Sequence, residues 1–166
     1  MKTTAFFTRI LSWLTGSKLT VDNSVVRELD LDRFLGSWYE VARFDHFFER
    51  GMSQTKARYV LRDDGNIDVI NTGVKNGRPK TAKGLAKLTD IPSLLRVSFF
   101  GPFYSDYRVM LVSVDYRFML IGSGSDSYLW ILSRTPQLAG SDRAAILNEA
   151  KARGYDTDKL IWVKQG

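Results

Sequence analysis

The chain has 166 residues, enough for one domain and a short appendage, and its 44% hydrophobic and 25% charged content fits neither a disordered nor a membrane-embedded chain. It has no cysteine and one histidine, His46, which excludes disulfides, thiolate zinc sites, iron–sulfur clusters and any centre built on several histidines. The net charge of +6 admits nucleic acid or an anionic membrane as partner, but the cations (Arg27, Lys56, Arg62, Lys75, Lys83, Lys87, Arg117, Lys151) are scattered, with no basic run interleaved with aromatics, and nucleic acid is set aside.

Residues 1–28 read as a leader and 29–166 as the folded domain. In the leader, Phe6, Phe7, Ile10, Leu11, Trp13 and Leu14 fall on one side of a helical projection, with Thr8, Arg9, Ser12 and Thr15 on the other. This is a short interfacial pattern that predicts weak membrane-surface association, with a frayed leader as the alternative; spanning would need about 20 apolar residues.

From Trp38 the hydrophobic period changes to two. Predicted strands cover 38–44, 55–62, 67–72, 81–88, 94–100, 107–114, 118–122 and 128–133. They are punctuated by Asp63-Asp64-Gly65-Asn66, Asn76-Gly77, Gly101-Pro102, the Gly122-Ser123-Gly124 loop and Pro136. The period then turns helical. Ser141 is placed as the cap, Ala145, Ile146, Leu147 and Ala150 as the apolar stripe, and Gly154 as the stop. Leu160–Val163 reads as a short final strand.

Eight meandering antiparallel strands and one helix predict an all-β, up-and-down barrel with a C-terminal helix; a sandwich is the second choice. One helix cannot cover an open eight-stranded sheet, and closure removes the exposed edges. The inward set by alternation includes Ala57, Tyr59 and Leu61; Ile67 and Val69; Ala82, Gly84, Ala86 and Leu88; Leu95, Val97 and Phe99; Tyr107, Val109 and Leu111; and Tyr128 with Trp130. Small residues opposite rings predict a cavity lined by aromatics, suited to an apolar small molecule. The expected ligand wall is Ala57, Tyr59, Val69, Ala86, Val97, Phe99, Tyr107, Val109, Tyr128 and Trp130.

Gly36-Ser37-Trp38 opens the first strand, Val114-Asp115-Tyr116 lies between the sixth and seventh, and Ser133-Arg134-Thr135-Pro136 closes the eighth. These three motifs, in this order and at these strand ends, resemble those of the lipocalins. Trp38–His46, Phe99–Tyr104 and Tyr128–Pro136 are similar to the bacterial lipocalins, kin to apolipoprotein D and the plant temperature-induced lipocalins, and the likeness runs from about Leu29 to Lys164.

The resemblance implies a calycin barrel that stores or carries fatty acids, lysophospholipids or similar amphiphiles at the bacterial cell envelope, without a cofactor or metal. It gives Gly36, Trp38, Asp115, Tyr116 and Arg134 structural roles, with Arg134 stacked on Trp38 as a plug at the closed end. Lipidated relatives sit at the outer membrane. Here Leu14-Thr15-Gly16-Ser17 carries Ser where a lipobox has Cys, so a soluble form is expected, with the cytoplasm as the alternative. A homodimer is left open. The competing function is an enzyme acting on a lipid-like substrate near His46, with Asp45 or Glu49 as orienter. No G-x-S-x-G elbow or phosphate loop supports it, and no catalytic residue is assigned.

Overall fold

The computed structural model describes residues 19–166; the leader helix pattern and the Ser17 site lie outside them. An extended arm leads to a single helical turn, α1 (Leu31–Phe34). Eight strands follow: β1 (Gly36–Phe44), β2 (Ser53–Leu61), β3 (Ile67–Lys75), β4 (Arg78–Leu88), β5 (Leu94–Phe100), β6 (Phe103–Val112), β7 (Phe118–Gly122) and β8 (Leu129–Ser133). Helix α2 (Gly140–Ala152), a 3-10 turn (Thr157–Lys159) and β9 (Leu160–Trp162) complete the chain.

Each strand pairs antiparallel with the next, β8 returns to β1, and β1 also pairs with β2, which closes the barrel. β1 divides one edge between two partners. Gly36–Tyr39 pair with β2, and Ala42–Phe44 pair with β9. Gln165 bridges the gap, its amide donating to the carbonyls of Glu40 (2.7 Å) and Thr55 (3.1 Å).

Two bulges reset which side chains face inward. Between Glu40 and Ala42 the β1–β8 register shifts, so Glu40 opposes Leu132 and Arg43 opposes Trp130 on the inner face, while Ala42 opposes Ile131 outside. A second shift between Val109 and Leu111 sends Leu111 to the outer face, opposite Leu120, against the alternation expected from sequence. Leu61 and Leu88, also expected inside, are exposed at the closed end.

There are accordingly two apolar layers. One fills the lower barrel around Trp38, Ile67, Leu95 and Ile121. The other lies between the outer wall of β6, β7, β8 and β1 and helix α2, where Ile146 and Ala150 pack against Met110, Leu120, Leu129 and Ile131. Of the expected helix stripe, Ala145 is exposed and Leu147 half-buried. The expected Ser141 cap is absent. The N-cap is Ala139 without a side-chain bond, and Arg117 holds Asp142 of the first turn at 2.9 Å. Gly154 does end the helix, at φ +95°, with the Tyr155 amide returning to the Ala150 carbonyl.

Residues 19–28, placed in the leader by sequence, lie on the barrel. Val21 is buried in the outer layer, the Val26 amide donates to the Val109 carbonyl, and Arg153 donates to the carbonyls of Asp22, Ser24 and Met110.

Candidate functional site

The β1–β2, β3–β4, β5–β6 and β7–β8 connections gather at one end of the barrel and form its mouth. A cavity of about 830 Å³ opens there, with Phe48, Met52, Phe99 and Ala82 among its apolar walls, Glu40 and Glu49 on its polar side and Lys75, Arg78 and Lys80 at its rim. Its size is that of a small-molecule site. Below, the barrel narrows to a throat of about 60 Å³ walled by Ala57, Tyr59, Val69, Val97, Phe99, Tyr107 and Trp130. The floor is aromatic. Phe34 packs on Tyr59 at 4.7 Å, and the Tyr59 and Tyr107 hydroxyls share a hydrogen bond of 2.8 Å. Burial pushes both phenols above their ordinary value. The Ser105 hydroxyl also faces this throat, buried and without a hydrogen-bond partner among the described residues.

Three residues expected on the ligand wall stand off it. Ala86 and Val109 are enclosed in the lower core, and Tyr128 stacks between Trp130 (5.8 Å) and His46 (5.6 Å) under the β1–β2 loop. Of the small residues of β4, Ala82 borders the cavity and Gly84 has a different use from the one expected. A Cβ on Gly84 would lie 2.8 Å from the Phe99 ring and 2.7 Å from the Ser98 carbonyl, so the missing side chain admits a ring rather than a ligand.

The opposite end is closed. Trp38 is fully buried, its indole N–H donating to the Phe34 carbonyl at 2.8 Å, and the Arg134 guanidinium lies 3.6 Å from the ring centre. Arg134 also donates to the carbonyls of Ser37 (2.8 Å), Leu35 (3.0 Å) and Arg33. Gly36 sits at φ +96°, and a Cβ there would be 3.4 Å from Arg134, so its backbone conformation more than crowding selects glycine. Asp115 accepts from Ser113 and pairs with Arg117, tightening the β6–β7 turn. Tyr116, at φ +56°, takes the Asp30 amide on its hydroxyl (2.7 Å) and lies beneath Arg33, which fastens α1 to that turn.

Sequence reasoning missed a buried charge cluster beside the mouth. Glu40 shares the parity of inward-facing Trp38 and was legible on that ground; Arg43 was not, because the bulge reverses its side. The Arg43 guanidinium contacts Glu40 (3.1 Å) and Glu49 (3.5 Å) and donates to the backbone carbonyls of Glu49 and Met52. Burial, and then the adjoining Glu49 carboxylate, hold Glu40 well above the ordinary carboxylate range. His46 is buried, 3.8 Å from the Phe48 ring, and burial lowers its pKa to about 4. Neither ring nitrogen has a hydrogen bond among the described residues, and Glu49 is 3.5 Å from Nε2. Asp45, the other orienter considered, is turned away to Arg50 (3.1 Å).

This cluster makes stability depend on pH. Unfolded, His46 titrates near 6.5; folded, near 4. Unfolding therefore takes up a proton in that window, and stability falls as pH drops through it, by up to about 3 kcal/mol. Glu40 has the opposite sign. The folded protein keeps its proton above pH 4.5 where the unfolded chain releases it, so Glu40 costs stability at higher pH and that cost disappears on acidification. Single variants separate the two. In urea unfolding, His46→Phe is expected to lose about 2–3 kcal/mol less than the parent between pH 7 and pH 4. Equal losses in both proteins would assign the acid limb to another group.

The model of the lipocalin-like domain family matches residues 29–165. The chain is 48% identical over 146 residues to the outer membrane lipoprotein Blc of Citrobacter freundii, covering 86% of this chain and 82% of that protein. It is 41% identical over 168 residues to the outer membrane lipoprotein Blc of Vibrio cholerae, covering 97% and 98%. Among solved structures, lobster apocrustacyanin A1 superposes with a TM-score of 0.71 at 18% identity, over 91% of this chain and 89% of that one.

Proposed function

The chain belongs to the lipocalin family, whose members bind small hydrophobic ligands, and we propose that this one carries a single-tailed amphiphile, a fatty acid or lysophospholipid, at the bacterial cell envelope. The observation that supports this reading is the cavity of about 830 Å³, with Phe48, Met52, Ala82 and Phe99 on its walls and three cations, Lys75, Arg78 and Lys80, at its rim. An acyl tail fits between Phe48 and Phe99 and points down toward Ala57, Val69 and Trp130. A carboxylate or phosphate at its other end stays at the rim, partly in water, where a cation needs no burial to hold it. The Blc relatives, which are outer membrane lipoproteins, support the envelope location.

Filling the throat is the direct test. Ala57 is buried on its wall, so Ala57→Phe is expected to weaken oleate binding by about tenfold or more in calorimetric titration, while circular dichroism retains the barrel signal. Unchanged affinity would place the tail outside the barrel. Solvent extraction of the purified protein with mass spectrometry then identifies the lipid it holds.

A further inference from the structure

We propose that the open end of the barrel, on the side where β4 and β5 part, is a docking face for an anionic lipid surface. This goes beyond ligand binding in the calyx and does not depend on it. β4 pairs with β3 from Arg78 to Ala86, but with β5 only from Leu85 to Leu88. Beyond Leu85 the two strands are not paired, and the cavity is bordered by Lys80 and Ala82 of β4 on one lip and Phe99 and Phe100 of β5 on the other.

The two lips carry different chemistry. On the β3–β4 hairpin Lys75, Arg78 and Lys80 are exposed, and none makes an ion pair among the described residues. On the β5–β6 hairpin Phe100 and Phe103 flank the Gly101-Pro102 turn and are 38% and 42% exposed. Of the nearby acids, Asp106 is paired with Arg96 and Arg108, Glu40 and Glu49 on the cavity wall face Arg43, and Asp126 lies on the β7–β8 loop.

A single exposed ring is ordinary on a protein surface. Two rings at one hairpin tip, level with three exposed cations and beside the opening of the cavity, have the composition of an interfacial contact. The rings enter the headgroup layer while the cations hold acidic headgroups. In that orientation the cavity between the two lips faces the lipids, and a tail passes from bilayer to cavity without crossing open water.

The chain's lack of cysteine makes the test clean. In the full chain, Pro102→Cys, between the two rings, and Val114→Cys, 95% exposed at the closed end, each carry an environment-sensitive fluorophore. With phosphatidylglycerol vesicles at low salt, the label at position 102 is expected to shift to the blue and the label at 114 to stay unchanged. Phosphatidylcholine vesicles are expected to give no shift. Reversing the cations (Lys75→Glu, Arg78→Glu, Lys80→Glu) in the labelled protein is expected to lower vesicle affinity by about tenfold or more. Binding that leaves position 102 unshifted would put the contact elsewhere on the chain and overturn the proposal, as would absence of binding. A lipid-free shift that grows with protein concentration would make this face a dimer contact and overturn it too.

Discussion

Trp38→Ala is expected to lower the free energy of unfolding by about 3–5 kcal/mol. The indole is fully enclosed beneath the aromatic floor, so truncation leaves a void that the barrel cannot collapse to fill. It also removes the hydrogen bond to the Phe34 carbonyl and the surface on which Arg134 lies. Arg134→Lys is the milder companion. It keeps the charge but not the planar fork that stacks on the ring while reaching the carbonyls of Ser37 and Leu35, and about 1–2 kcal/mol of loss is expected. Both are read by urea denaturation. Trp38 and Arg134 lie at the opposite end from the mouth, so oleate affinity in the folded variants is expected to change far less than in Ala57→Phe. Loss of binding at unchanged stability would mean that this end is pocket rather than plug.

Arg43→Met is expected to cost about 3–5 kcal/mol, as removal of one partner from a buried ion cluster does. Arg43 is 1% exposed and is the cation that opposes both Glu40 and Glu49 there. Without it the Glu49 carboxylate is buried uncompensated, and the Glu49 and Met52 carbonyls lose their donor. At 166 residues this corresponds to a fall in melting temperature of about 10 °C. Adding Glu40→Gln and Glu49→Gln to Arg43→Met removes the stranded charge and is expected to recover much of the loss. If the triple variant were no more stable than Arg43→Met, the cost would lie in packing or the lost carbonyl bonds instead of charge.

The barrel was legible because most strands keep one wet face. Lys56, Arg58, Asp68 and Arg96 mark the outside, and their neighbours Ala57, Tyr59, Val69 and Val97 fall on the throat. Where that contrast fails, so does the reading. β7 is buried throughout because α2 covers its outer side, which period-two logic cannot distinguish from an inner face. Each bulge inverts parity without a marker in composition, hence the misplaced Leu111 and the unseen Arg43. The arm of residues 19–28 has no periodicity to read. It is held by backbone bonds and by Arg153, a residue more than 120 positions distant in sequence. Small side chains were ambiguous for a plain reason: Ala57 borders empty space and Gly84 borders a ring, and only the strand opposite decides which.

The separation of β4 from β5 has a second consequence. A closed barrel normally has no free margin, yet among the described residues the part of β4 above Gly84 has a strand partner on one side only. Such a margin is a template for strand addition by another chain, the first step of aggregation. The segment that occupies it, Arg78-Pro79-Lys80-Thr81-Ala82-Lys83, has a proline and three cations in six residues and little apolar surface to bury. An incoming strand would meet a missing amide and like charges. The free margin of β4 thus carries its own protection against self-association, written into the sequence of the strand itself.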